Sequence, residues 1–338
     1  MKAVLKDQIH LLQKVTPLKG LNLIRLFFSF YVSRITKKSS LRAMPMGLSI
    51  EPTTSCNLRC SECPSGLRSF TRPTGMLDPQ TFQRVIDQLK SRLIWLTFYF
   101  QGEPYLNKDF LKMVKYASQQ GLYTMTSTNA HYFTDEVAQE TIESGLSRII
   151  VSMDGVNQET YEKYRKGGSL EKVKDGITKL VGWKKKLGSY TPHIVLQFIV
   201  FGHNEHEVDE VKKLGKEMGV DEVKIKSAQI YDFSNTDLLP GDEKYTRYKS
   251  ENGSYQIKNE LMNHCWRMWS SAVITWDGKV IPCCFDKDAH HQIGTIEEKP
   301  FQEIWTSPAY HDFRTQVLLN RKSVDICTNC TEGTEVWI

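Results

Sequence analysis

From residue 47 onward, short apolar or alternating runs give way repeatedly to amphipathic stretches, a rhythm that predicts strands separated by helices. MGLSIEP reads as a strand, and LDPQTFQRVIDQLKSR as a helix with Asp78 as N-cap and Pro79 at its first position. LIWLTFYF is a strand ending at QGEP, and NKDFLKMVKYASQQG a helix closed by Gly121. YTMTSTNA, RIIVSMDG, IVLQFIVFG and DEVKIKSAQ are further strands, separated by segments such as TDEVAQETIESG and EHEVDEVKKLGKEMG. Six strands in βα alternation imply parallel pairing with right-handed crossovers. The expected fold class is α/β, a partial (β/α)6 TIM-like barrel over residues 47–230 with a small C-terminal α+β domain. Residues 231–260 are polar and weakly patterned, which suggests a linker or bridging segment, and the final domain occupies 261–338. There AVITWDGKVIPCCF reads as a hairpin turning at Asp-Gly, followed by the helical stretch FQEIWTSPAYHDFRTQVLL.

Residues 1–46 differ in character. Lys2, Lys6, Lys14, Lys19, Arg25, Arg34, Lys37, Lys38 and Arg42 face a single acid, Asp7, so the rest of this chain of net charge +5 is slightly acidic. Between these bases, LNLIRLFFSFYVSRI is too short and too interrupted by Arg25 and Arg34 to span a bilayer, and no small-residue cleavage site follows. The simpler expectation is a basic amphipathic helix packed on the main domain; the other lays it in a membrane interface, leaving room for peripheral membrane contact. A hydrophobic content of 40% and a charged content of 25% exclude disorder and a multi-span membrane protein. Nothing in the charge pattern points to nucleic acid, the run Lys184 to Lys186 reading as a solvated face.

Eight cysteines without an export signal point to a reducing cytoplasm, where thiols serve metals or catalysis. They fall into two groups, Cys56, Cys60 and Cys63, then Cys265, Cys283, Cys284, Cys327 and Cys330. Three thiolates can hold three irons of a [4Fe-4S] cluster and leave the fourth open, whereas electron-transfer clusters and structural zinc sites take four. CNLRC, QGEP, STNA and SMDG each follow a predicted strand end, where barrel enzymes build their sites.

C-x3-C-x2-C after the first strand resembles the signature of radical S-adenosylmethionine (SAM) enzymes. The resemblance implies that Cys56, Cys60 and Cys63 ligate the cluster, that SAM chelates its open iron, and that reductive cleavage yields a 5′-deoxyadenosyl radical. The residue before the last cysteine is usually aromatic and is Glu62 here, an expected change in local packing. QGEP resembles the family's GGEP, so Gly102 lets backbone approach the cofactor while Glu103 and nearby carbonyls receive the SAM ammonium. SMDG is similar to the segment after the fourth strand, which makes Ser152 a SAM contact and leaves Asp154 as a turn cap. YRKGGSLEKV resembles the R-x-G-G segment, making Arg165 the partner of the SAM carboxylate, and Gln197 faces the ribose.

WDGKVIPCC followed by C-x2-C resembles the SPASM/twitch extension of the same superfamily. It implies one auxiliary [4Fe-4S] cluster on Cys265, Cys283, Cys327 and Cys330, with Cys284 a small buried hydrophobe; from spacing alone, zinc competes for these four thiols. Tyr231, Asp232, Trp266 and Arg267 fall near the junction of the two domains, where a substrate would lie. Trp95, Phe98 and Tyr99 are expected in the strand core, His203 and His206 on the solvent side of a helix start, and His290 and His291 in a loop. The expected function is hydrogen abstraction from a small-molecule, lipid-linked or peptide substrate, ending in net oxidation or peptide modification. A low-potential donor such as flavodoxin or ferredoxin supplies the electron. The alternative from another class is a non-catalytic, zinc-stapled, membrane-peripheral scaffold.

Overall fold

Six parallel strands form the spine: β1 (Gly47–Ile50), β2 (Trp95–Thr97), β3 (Tyr123–Thr128), β4 (Arg148–Ser152), β5 (His193–Val200) and β6 (Glu222–Ser227). In this computed structural model, which describes residues 2–231, 238–251 and 254–333, they neighbour one another in chain order with helices on the crossovers. The sheet stops at β6 without closing, giving the expected partial barrel.

Helix Pro79–Leu89 shows how the local signals act. Asp78 accepts from the Gln80 and Thr81 N–H groups, satisfying donors that the first turn would otherwise leave unpaired. Phe82, Val85, Ile86 and Leu89 recur on one face and are fully buried against the sheet, each contributing roughly 1.5–3 kcal/mol.

The segment expected as a linker carries an antiparallel pair, β7 (Tyr248–Glu251) and β8 (Ser254–Ile257), too short and polar for its pattern to show in sequence. The Tyr248 hydroxyl accepts from the Ile230 N–H (2.9 Å) and reaches Asn329 Oδ1 (3.0 Å), bridging the end of the barrel to the last cysteine turn.

The C-terminal hairpin joins the barrel's own sheet. Strand β9 (Ser271–Ile274) pairs parallel with β1, in register Leu48 to Ala272, and β10 (Lys279–Ile281) and β11 (Gly294–Thr295) follow antiparallel. A buried ion pair fixes the same seam: Glu51, just past β1, accepts two hydrogen bonds from Arg72 (2.6 and 2.7 Å) and one from the Trp276 N–H in the hairpin turn. Arg72 also donates through Nε to the Lys287 carbonyl.

Helices α1 (Lys2–Leu12) and α2 (Pro17–Thr36) lie under the N-terminal ends of the strands. Asp7 accepts from the Tyr123 hydroxyl and pairs with Arg148 at the starts of β3 and β4, and His10 Nε2 bonds Ser147 Oγ (3.0 Å). On α2, Lys19 donates to the Gly121 carbonyl and Asn22 exchanges two hydrogen bonds with the Met44 backbone. Phe30 packs edge-on against Trp266 and Trp269, tying the helix to the C-terminal domain.

Replacing Arg72 by Met strands a fully buried carboxylate, a loss of about 3–5 kcal/mol. Urea unfolding should show this loss for Arg72→Met, and Glu51→Leu/Arg72→Met should recover most of it, since both buried charges are then gone.

Candidate functional site

The carboxyl ends of β1 to β6 converge on a cavity of about 290 Å³. Cys56, Cys60 and Cys63 line it on one side; Gly102, Glu103, Ser152 and Arg165 line it on the others. The three-cysteine loop has little secondary structure beyond the short helix Pro64–Leu67, so hydrogen bonds from the strand ends hold it. Asn129, after β3, donates to Asn57 Oδ1 (2.8 Å). The Arg59 N–H donates to the Lys166 carbonyl (3.0 Å) in the turn after the helix Gln158–Tyr164. Ser65 Oγ donates to Gln101 Oε1 and accepts from the Gly102 N–H, both at 2.9 Å, so Gln101 has a role where the usual glycine has none. Glu62 accepts from the Tyr231 N–H (2.8 Å): at the position usually held by an aromatic ring, a hydrogen bond to the segment after β6 takes the place of ring packing.

Gly102 is required by geometry, because its φ is +75° and a Cβ would lie 2.3 Å from the Thr53 carbonyl oxygen. The neighbouring Glu103 carboxylate is only 2% exposed and accepts from Thr128 Oγ1 (2.7 Å) and the Asn129 N–H (2.8 Å). The carboxylate thus joins two strand ends while still lining the cavity, and burial raises it to about 7.

Asp154 does more than cap a turn. Fully buried, it accepts from the Ile199 N–H and from Arg165 Nε, both at 2.6 Å. The arginine is thereby oriented with Nη1 3.8 Å from Cys60 Sγ and its guanidinium 4.9 Å from the Tyr164 ring centre. Sequence reasoning missed this clamp; the only signal was an acid just past β4 and an arginine eleven residues on, at the end of the helix Gln158–Tyr164. Gln197 is half-buried one pleat before Ile199 and lies outside the cavity lining.

Toward the C-terminal domain the cavity is lined by Tyr99, Gln229, Tyr231 and Lys287. Tyr99 thus leaves the strand core for the cavity wall, since it sits past the last paired residue of β2. Of the other junction residues, Trp266 is buried, stacked on Phe27 (4.9 Å), Arg267 pairs with Glu332, and Asp232 lies outside the described residues. His203 stacks on Phe201 (5.5 Å) and is half-buried, so it does not face solvent as expected; His206 does.

Cys265, Cys283, Cys327 and Cys330 are all buried in the C-terminal domain, and Cys284 is half-buried beside them. The Cys330 N–H bonds the Cys327 carbonyl, and Cys330 Sγ accepts from Arg321 Nη2 (3.4 Å) and the Glu332 N–H (3.3 Å). Gly333, at φ +79°, passes so close to Cys265 that a Cβ would stand 2.3 Å from its sulfur. A hydrogen bond with Cys284, together with burial and the thiols of Cys265 and Cys330, raises Cys283 well above its ordinary value. The same bond lowers Cys284, with Lys287 and Arg267 acting in the same direction, while its side chain packs against the apolar core.

The donor chemistry fits iron-sulfur clusters. Burial pushes the Cys56 and Cys330 thiols up to about 12 and raises Cys60, so thiolates form here only where a cation compensates them. Arg165 beside Cys60 and Arg321 beside Cys330 supply part of that positive charge. Among the described residues no three His, Cys, Asp or Glu side chains stand close enough to hold one metal ion.

Residues 50–222 match the family model described as the Radical SAM superfamily, and residues 265–331 match the model described as SPASM, iron-sulfur cluster-binding domain. The chain is 27% identical, over 84% of its length and 86% of the relative's, to a tungsten-containing aldehyde ferredoxin oxidoreductase cofactor-modifying protein of Pyrococcus furiosus. It is 24% identical to an AdoMet-dependent heme synthase of Methanosarcina barkeri, over 77% of this chain and 82% of that one. Among solved structures, SuiB of Streptococcus suis bound to S-adenosylmethionine shares the fold with a TM-score of 0.63 at 14% identity, covering 84% of this chain and 70% of that one.

Gly102→Ala should destabilise the protein by about 1–3 kcal/mol, the cost of forcing a side chain into a left-handed conformation against a carbonyl. Denaturant unfolding checks the magnitude; an unchanged midpoint would contradict the close approach.

Proposed function

The chain belongs to the radical SAM superfamily, with a C-terminal SPASM module, and from that premise we propose that it abstracts hydrogen from a small-molecule or peptide substrate held between the two domains. The radical SAM domain binds a [4Fe-4S] cluster and SAM, and the SPASM module binds further iron-sulfur. The family matches leave no place for the zinc-stapled scaffold. When bound, the cluster and SAM supply reductive cleavage to a 5′-deoxyadenosyl radical, chemistry that belongs to the cofactors. The observation that carries the proposal is the meeting of three thiols, Gly102, Ser152 and Arg165 in one cavity.

In this reading Cys56, Cys60 and Cys63 hold three irons. Gly102 brings backbone against SAM, Ser152 adds a polar contact, and Arg165, fixed at Nε by Asp154, turns its outer edge to the SAM carboxylate. Glu103, anchored by Thr128 and Asn129, receives the SAM ammonium together with nearby backbone carbonyls. Cys265, Cys283, Cys327 and Cys330 hold one auxiliary [4Fe-4S] cluster. Tyr99, Gln229, Tyr231 and Lys287 form the substrate wall, whose lysine favours a substrate with an anionic group. The outcome is net two-electron oxidation or peptide modification, with flavodoxin or ferredoxin as electron donor. The relatives named as modifying a cofactor or making heme, and the solved fold neighbour crystallised with its precursor peptide, support both substrate classes.

Anaerobically purified protein should contain about eight irons per chain, two cubanes' worth, and release 5′-deoxyadenosine from SAM once reduced. Cys56→Ala/Cys60→Ala/Cys63→Ala should keep about four irons and form no 5′-deoxyadenosine. Asp154→Asn should raise KM for SAM about tenfold, one charge-assisted contact's worth, with iron content unchanged. Continued SAM cleavage in the triple variant would remove the assignment.

A further inference from the structure

The two N-terminal helices carry apolar side chains on both faces. On α2 the face turned to the protein combines fully buried Leu26 and Phe30 with Lys19, Asn22, Ser29 and Ser33, each buried and hydrogen-bonded. The residues turned away are Leu18, Leu21, Ile24, Phe28, Val32 and Ile35, all exposed, with Phe28 at 69% and Ile35 at 81%. Their spacing of three and four residues draws one stripe along the 20-residue helix. Helix α1 repeats the arrangement: Asp7 and His10 point inward to Tyr123, Arg148 and Ser147, and Leu5, Ile9 and Leu12 point outward.

The orientation is fixed by polar bonds to the barrel, so the helices cannot rotate to hide the stripe without stranding Lys19, Asn22 and Asp7. Such a face requires a cover, because monomeric soluble proteins seldom leave contiguous apolar surface of this kind open. The charges select the cover. Lys2, Lys6, Arg25, Lys37, Lys38 and Arg42 stand exposed around it, and the segment's single acid, Asp7, is buried and paired. A second copy of this chain would bring the same cations against one another. No helix of the described residues is long and apolar enough to cross a membrane, which leaves the plane of the interface.

We propose that α1 and α2 form a docking face for a bilayer containing anionic lipid, the apolar stripe entering the acyl boundary and the lysines and arginines meeting phosphate headgroups. The inference stands on this surface alone and does not depend on the cluster chemistry.

The test is flotation of the cluster-loaded full-length protein with phosphatidylcholine vesicles and with vesicles of phosphatidylcholine and phosphatidylglycerol at seven to three by weight, about a third anionic. The protein should float with the anionic vesicles, less so as salt rises, and hardly with the neutral ones. Phe28→Ser/Ile35→Ser should bind at least about tenfold more weakly, while its iron content and SAM cleavage stay at wild-type levels. Lys37→Glu/Lys38→Glu should lose the anionic preference. Phe28→Trp should blue-shift its emission on binding and be quenched by brominated acyl chains. Failure of the wild type to float with anionic vesicles would overturn the proposal, as would a dimer in size-exclusion chromatography that Phe28→Ser/Ile35→Ser dissociates.

Discussion

The buried pair between Glu51 and Arg72 sits where three parts of the chain meet: the end of β1, the returning arm of the three-cysteine loop, and the turn of the C-terminal hairpin. A loop of that length, carrying only a short helix of its own, loses much conformational entropy on folding, and bonds of Thr53 and Thr54 to Gly75 close its base. The guanidinium restrains its base, and its third donor, Nε, grips the Lys287 carbonyl in the segment that follows the paired cysteines. One desolvated contact thus ties the loop's base to both β1 and the segment after Cys284. Parallel pairing of β9 with β1 extends the same constraint into the sheet, so the two domains share a backbone ladder and not merely an interface.

The barrel was readable because its signals are local: Asp78 before Pro79, the apolar face of helix Pro79–Leu89, and loops of polar character after each strand. The cavity was readable for the same reason, since the ends of parallel strands bring Cys56, Gly102 and Ser152 together whatever the details between them, and Arg165 joins them from the end of the helix after β4. What escaped the sequence was every assignment that depends on a partner far along the chain. Asp154 reads in sequence as a turn residue, yet it holds Arg165 and the Ile199 N–H; Glu103 reads as a ligand contact, and the bonds from Thr128 and Asn129 that hold it in place have no local signal. Trp266 lies near the domain junction in sequence, yet α2 draws it into an aromatic cluster. The β7–β8 pair was invisible because four-residue polar strands carry no usable period.

Both cysteine groups are served in one way by the protein. A buried arginine stands within reach of a sulfur, Arg165 at Cys60 and Arg321 at Cys330, and each is held elsewhere by oxygen, Arg165 by Asp154 and Arg321 by the carbonyls of His264 and Glu332. Fixed cations of this kind lower the cost of negative charge on sulfur in a low-dielectric site. Because the two arginines have different anchors, a carboxylate in one case and neutral carbonyls in the other, the net field at the two sulfur groups differs even though the pattern of donors is similar.

The placement of α1 and α2 under the strand starts fixes a direction. The cavity opens at the opposite ends of those strands, and an eight-residue strand such as β5 alone spans roughly 25 Å. A protein resting on its N-terminal helices would hold its reactive mouth upward, a full strand length clear of the lipid headgroups. Substrates would then arrive from the aqueous side, and the surface beneath would act as an address that concentrates the enzyme where such substrates are made or used.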